Sequence, residues 1–300
     1  MENDRAVFLA SAIVVGTGAL WGVYWIPVRR LAEAGLPGAW GTLAAVLMAA
    51  ILMTPIAIRR RLELRKVQPR AFFFTALGGA SFVLYSVGLV YGRVAIIILL
   101  FYLTPVWSSL IGRYVMGWRS PPSRLLAIAI GLVGLAIMLG ANGDVPLPRN
   151  IGEWFALLSG ILWSVSSTGI RSGSEMEAPE AGFVFVLGAC AGALVLAPVL
   201  APLPVEIALG TAISWGIAAG GLWWAVFMTA LMWATARLEP TRIGILLMSE
   251  VLVGALSAAI LAGEHLSNIE MAGGALVLGA AALEIWSTKK TPGQSSVFDT

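Results

Sequence analysis

A single carboxylate stands deep inside an apolar run, Glu250 within the stretch from about 240 to 262. An acid so placed is costly to bury and marks a site of function by default. Two roles fit it: binding a substrate ammonium group or exchanging a proton, and a structural hydrogen bond between segments. Glu264 and Glu284 sit nearer the ends of their runs and read as solvated or interfacial. His265, the only histidine, lies beside Glu264 in a connection, where a surface position is expected and a pH sensor is the alternative. Cys190, the only cysteine, has no partner for a disulfide or a thiolate metal site and reads as a small core residue. A hydrolase built on a nucleophile and base, or on a metal cluster, lacks its parts here. There is also no Gly-rich Lys-Ser/Thr loop for nucleotide phosphates. The chain is expected to be neither an enzyme nor an ATP-driven machine, and to need no cofactor or metal.

The remaining residues able to do chemistry are aromatic and hydroxylic. Ser81, Phe82 and Tyr85 share one helical face, and Phe101 and Tyr102 stand beside Thr104 and Pro105. Ser159, Trp163, Ser166 and Ser167 follow one side of a later run, and Trp223, Trp224 and Phe227 mark another. Aromatic walls with a few hydroxyls hold a small organic solute by area burial and stacking, and attract an ammonium group through the ring faces. The candidate solute-binding set is therefore Trp21, Ser81, Tyr85, Tyr102, Trp163, Ser167 and Trp224, with Glu250 as a coupling or structural carboxylate. Plain core packing is the competing role for Tyr85, Tyr102 and Trp163. An interfacial belt claims Trp25, Trp40, Trp118, Trp154 and Trp286, near the ends of runs.

The elements that position these residues follow from composition. Of the 300 residues 59% are hydrophobic and only 12% charged, with a mean hydropathy of +0.89, too little polar sequence to coat a water-soluble core. The surface must face lipid. Ten apolar runs of roughly membrane-spanning length are predicted as helices, at about 7–26, 38–58, 71–91, 94–113, 123–141, 152–170, 181–200, 211–235, 240–262 and 269–287. The first is too long, and too aromatic at its end, for a cleaved leader. If the spans alternate from a cytoplasmic N-terminus, 15 of the 19 basic residues, including the block Arg59–Arg70, fall on the cytoplasmic side. Only Arg29, Arg30, Arg93 and Arg149 lie opposite, so the bias places both termini in the cytoplasm. The net charge of +3 thus reports topology rather than nucleic-acid binding. Small residues at helical spacing, such as Gly188 and Gly192, Gly216 and Gly220, and Gly273 and Gly279, read as helix-packing faces.

The two halves resemble each other. Leu20-Trp21-Gly22, Arg29 and Pro37 match Leu162-Trp163-Ser164, Arg171 and Pro179 at an offset of 142. Thr104-Pro105-Val106 and Gly117 match Glu250-Val251-Leu252 and Gly263 at an offset of 146. Five spans per half is an odd number, so the second copy inserts inverted, a design used by secondary transporters with the solute site where the repeats meet. The expected division is 1–146 for the first five-helix repeat and 147–287 for the second. A disordered cytoplasmic tail is expected over 288–300.

Over about residues 7–287 the chain resembles the EamA family of the drug/metabolite transporter superfamily. The second copy, Ser249-Glu250-Val251 followed by Gly263-Glu264, is the closer to the family pattern, with Val251 where a proline is common. The first keeps Pro105 but has Trp118 at the later acidic position. The resemblance implies an all-α polytopic membrane protein of ten transmembrane helices in two inverted five-helix repeats. It also implies a secondary transporter in a bacterial inner membrane; members that export amino acids look most similar. No lysine falls in a predicted core and the arginines lie at span ends or in loops, which disfavours phosphorylated solutes. Export of neutral or aromatic amino acids by a monomer is expected, with membrane lipid as its surroundings and no nucleic-acid partner. Efflux of lipophilic cations is the alternative, and a non-transporting membrane interaction protein the remaining class.

Overall fold

A computed structural model describes residues 2–115, 117, 122–141, 147–171, 176–235, 237–238, 243 and 246–288. Every regular element among them is helical: α1 (Glu2–Trp21), α2 (Trp25–Glu33), α3 (Trp40–Arg59), α4 (Arg61–Lys66), α5 (Pro69–Tyr91), α6 (Val94–Phe101) and α7 (Thr104–Tyr114). They continue as α8 (Pro122–Leu139), α9 (Ile151–Arg171), α10 (Ala178–Leu200), α11 (Leu209–Ala218), a π-helical stretch (Ala219–Phe227), α12 (Met228–Thr235), α13 (Ser249–Leu261) and α14 (Asn268–Thr288). Six helical stretches are long and apolar enough to cross a membrane: Arg5–Glu33, Trp40–Arg59, Pro69–Tyr91, Val94–Tyr114, Ala178–Leu200 and Leu209–Ala234. Three shorter apolar helices, Leu125–Leu139, Ser249–Leu261 and Asn268–Leu283, together with α9 complete the ten predicted spans. The tail from 289, Trp118, residues 240–242 and 244–245 of the 240–262 run, and the side chains of Glu284 and Trp286 lie outside what the structure describes.

Three spans are interrupted, for local reasons. The first does not end near residue 26 but breaks at Gly22–Tyr24 and resumes as α2, so Arg29 and Arg30 are helical rather than in a loop. Pro27 has no N–H for the carbonyl of Val23, which accepts from Ile26 instead. The fourth span breaks at Tyr102–Leu103. Pro105 cannot donate to Phe101 O, and the Thr104 hydroxyl takes that place at 2.6 Å. In the ninth, Val251 N bonds Met248 O, and the carbonyl of Leu247 is left to a side chain from another helix.

Several helix contacts correspond when the first five spans are exchanged with the last five. α5 lies on α9 as the π stretch and α12 lie on α1, and α5 lies on α10 as α11 and the π stretch lie on α3. α6 and α7 meet α9 as α13 meets α1, while α8 with α14 and α3 with α10 pair across the halves. The matched glycines agree in backbone as well: Gly117 and Gly263 have φ of +69° and +64°, a left-handed conformation that glycine adopts without strain. After Gly263 the N–H of Glu264 reaches back to Ala258 O, closing the end of α13.

Glycine packing is as expected at Gly188, Gly192, Gly220 and Gly273, whose added Cβ atoms would meet neighbouring helices. Gly216 and Gly279 depart from it, with nothing within 4 Å of a Cβ, so neither supports a helix crossing. At one end of the bundle Arg60 donates to Glu177 and Glu180, and these bonds raise its pKa above the ordinary guanidinium value.

Candidate functional site

The breaks in the first, fourth and ninth spans converge. Trp21 ends α1, and Gly22 packs so closely on α13 that a Cβ would stand 2.7 Å from Glu250 O and from Gly254 N. Tyr85 in α5 donates to Glu250 Oε1 at 2.6 Å, and Tyr102, at the α6–α7 break, donates to Leu247 O and more distantly, at 3.3 Å, to Glu250 Oε2. Two phenols of the first half thus hold Glu250, a buried carboxylate of the second.

Around this junction the rings form one continuous cluster. Phe82 is its hub, with ring centroids 5.4 Å from Trp21, 5.4 Å from Phe101, 5.1 Å from Trp163, 5.3 Å from Phe185 and 6.1 Å from Tyr85. The repeat-related Trp21 and Trp163 therefore both pack on the same phenylalanine. Trp21 continues to Tyr24 and Trp224, and Phe185 closes the ring between Trp163 and Trp224. Most contacts are edge-to-face or tilted, the arrangement that aromatic quadrupoles favour.

The π-helical stretch explains how two adjacent tryptophans serve this centre. Its wide turns let both indoles point towards the first span: Trp223 Nε1 donates to Leu20 O at 2.7 Å, and Trp224 Nε1 to Tyr24 Oη at 2.6 Å. From Tyr24 the hydrogen bonds run on to Ser86 and then to Thr42, all fully buried.

The predicted residues divide accordingly. Trp21, Tyr85, Tyr102, Trp163 and Trp224 come together with Glu250 in this centre. Ser81 lies in the same helix but turns its hydroxyl to Gly78 O at 2.7 Å, and Ser167 bonds Ser164 O in its own helix at 3.3 Å. Neither hydroxyl is directed at the rings by these bonds. Trp21 Nε1, by contrast, is buried without a hydrogen-bond partner. Trp25 is not a belt residue: it is buried and donates to Ser257 Oγ at 3.0 Å. Trp40 is half-buried and donates to Ala201 O, whereas Trp154 is exposed as a belt residue would be. Glu264 is not solvated either, but paired with Arg29 at 3.0 Å. Sequence reasoning missed Tyr24 and Phe185. Tyr24 follows Trp21 by three residues, a spacing that could have placed it; Phe185 sits in an apolar run with no distinguishing neighbour.

No group of three or more His, Cys, Asp or Glu side chains able to hold a metal occurs among the described residues. Arg29 and Arg93 lie at one end of the bundle and Arg60 at the other.

Comparison with known proteins fits this architecture. A solved crystal structure, described only as that of a protein, is similar over 93% of this chain and 98% of its own, with a TM-score of 0.61 at 19% identity. At that identity the likeness concerns the fold alone. No curated protein matches. The sequence model described as the EamA-like transporter family matches residues 8–140, most of the first five spans. That match covers less than half of the chain and is a likeness of its first five spans to a family of membrane transporters.

Proposed function

We propose that the chain exports small metabolites, neutral and aromatic amino acids foremost, across a bacterial inner membrane. It does so by alternating access through the aromatic centre, as a monomer with both termini in the cytoplasm. Residues 1–146 and 147–287 act as the two inverted repeats, and the solute sits where they meet. The observation that carries this is the ring cluster contributed by both halves around Phe82, which among the described residues contacts one carboxylate and no basic side chain. Ring faces and edges accommodate an aromatic or aliphatic side chain, and Glu250 offers the one charge complementary to an ammonium group. A phosphorylated solute would find no cation among the described contacts of this cluster to offset its charge.

The repeat symmetry supports rocking of the halves. Tyr85, Tyr102 and Glu250 link them at the centre, so repacking there changes the relation of one half to the other. The test is counterflow in liposomes with labelled neutral, aromatic and charged amino acids and a quaternary-ammonium compound, with and without a pH gradient. Saturable exchange of neutral or aromatic amino acids, reduced by Tyr85→Ala, Tyr102→Ala and Trp163→Ala at equal protein content, is the expected result. Exchange of the quaternary cation alone would replace amino acids by lipophilic cations as the solute. No exchange of any compound would sink the proposal.

A further inference from the structure

At the end of the bundle away from Arg60, a charged cluster stands that the aromatic centre does not use. The connection from α13 to α14, residues 262–267, is gripped there by two arginines of the first half. Arg29 in α2 donates through Nη2 to Glu264 Oε1 at 3.0 Å, and through Nε and Nη2 to Leu89 O and Gly92 O, each at 3.0 Å. Arg93, between α5 and α6, donates through Nη1 to Glu270 Oε1 at 2.6 Å and through Nη2 to His265 O at 2.6 Å. The side chains of Glu264 and Glu270 are only 12% and 5% exposed, while Arg29 and Arg93 keep 27% and 36%, so each pair sets a buried carboxylate under a partly exposed guanidinium. Charge pairs screened less by solvent hold more strongly than surface ones.

Both grips join the first half to the second. Elsewhere in the first half, Val28, Leu89, Val94, Ile97 and Ile98 are buried in the core that continues from this end. The candidate solute residues that are half-buried rather than buried, Tyr102, Trp163 and Ser167, lie at the centre or towards the Arg60 end. In sequence, the position matching Glu264 in the first half is Trp118, so this acid is not duplicated by the repeat.

We infer that Arg29 and Arg93, with the 262–267 connection, form an outer latch. It holds the non-cytoplasmic mouth shut and must release before the centre opens to that side. This rests on the alternating-access reading above.

The cluster also says where to cut. Glu270 accepts from Ser267 N at 2.8 Å and its own N–H bonds Ser267 Oγ at 3.2 Å, a reciprocal cap on α14. Arg29 likewise satisfies carbonyls at the end of α5. Removing either would loosen a helix end as well as the latch. Glu264 and Arg93 have no such second duty among these bonds, so Glu264→Gln and Arg93→Gln cut the latch alone.

The experiment uses the full chain in liposomes of determined orientation, with Cys190→Ser as background and one reporter thiol at a time. Ser81→Cys reports mid-span access, and Ser167→Cys reports access from the Arg60 end. A charged, membrane-impermeant maleimide is added to one side or the other. Each pair is expected to weight the closed state by about threefold, so the double variant should raise outer-side labelling of Ser81→Cys about tenfold. Labelling of Ser167→Cys from the cytoplasmic side should fall to about half or less, since one population grows at the expense of the other. Glu264→Gln alone, the milder variant, should give an intermediate rise, and Arg93→Lys should stay within about twofold of the parent. A rise at Ser81→Cys with no fall at Ser167→Cys would indicate a frayed loop and overturn the latch. Unchanged outer labelling, with Ser167→Cys still reactive from the cytoplasmic side, would overturn the latch and leave alternating access standing. Protection of both thiols from both sides in every variant would overturn both.

Discussion

Replacing Tyr85 by phenylalanine removes one oxygen and leaves the ring among Phe82 and Phe101, where it already packs. The oxygen lost is the 2.6 Å donor to Glu250 Oε1, in a pair that is almost wholly buried. A buried acceptor left without its donor costs about 1–3 kcal/mol, and the short bond here argues for about 2 kcal/mol. Tyr102→Phe should cost less at the carboxylate, because Tyr102 stands 3.3 Å from Oε2 and has a closer acceptor in Leu247 O. Its loss of about 1 kcal/mol should fall mainly on that carbonyl. A double-mutant cycle separates the two. With Glu250→Leu as the second change, Tyr85→Phe should couple by about 1.5–2 kcal/mol, since a phenol facing leucine has nothing left to lose. Tyr102→Phe should couple by under about 0.5 kcal/mol. Reversible unfolding in detergent, followed by thermal or denaturant titration, reads the cycle; for a chain of this size 2 kcal/mol corresponds to a fall in Tm of about 3 °C. Additivity between Tyr85→Phe and Glu250→Leu, or a larger coupling at Tyr102, would refute the assignment of Tyr85 as the main partner of the carboxylate.

Gly22→Ala should destabilise by about 1–3 kcal/mol in the same assay, because its Cβ would sit 2.7 Å from two backbone atoms of α13. Gly279→Ala, with open space around its Cβ, should change stability by no more than about 0.5 kcal/mol or improve it slightly; a loss comparable to Gly22→Ala would contradict the packing described. Thr104→Val removes the hydroxyl that replaces the missing donor of Pro105, and hydrogen exchange should quicken around residues 101–106 while the rest of α7 keeps its protection. In counterflow, Trp163→Ala should lower the rate about tenfold or more, whereas Trp154→Ala, exposed at a span end, should leave it within about twofold. Equal effects of the two would argue against a solute at the ring cluster.

The spans were legible because hydropathy over twenty residues is a strong signal, and because a second, weaker signal agreed with it. The offsets that pair Gly117 with Gly263 reappear as a shared left-handed φ. Breaks in the first and fourth spans were harder to read. Pro27 and Pro105 mark where a helix bond must be missing, but not whether the chain bends, resumes or is repaired by a neighbour such as Thr104. The aromatic centre was partly legible, since Trp21, Tyr85, Tyr102, Trp163 and Trp224 fall at mid-depth. Ser81 shares that depth and Ser167 lies nearer the Arg60 end, yet their hydroxyls bond carbonyls of their own helices, a choice that spacing does not encode. The partners of Glu250 were invisible, because Tyr85 and Tyr102 lie 165 and 148 residues away and no local pattern links them. Glu264 misled for the same reason: proximity to a span end suggests water, while the arginine that covers it comes from the other half.

The nine-residue π stretch Ala219–Phe227 has a mechanical meaning. Each wide turn carries more residues than an α-turn, so the helix segments before and after it are out of phase. Restoring α pitch over the same nine residues would wind them through more turns and rotate everything downstream relative to α11. Trp223 and Trp224 could not then keep both Leu20 O and Tyr24 Oη as acceptors. The eighth span therefore behaves as a shaft with a built-in offset, able to transmit a twist between its two ends only so long as that offset is kept.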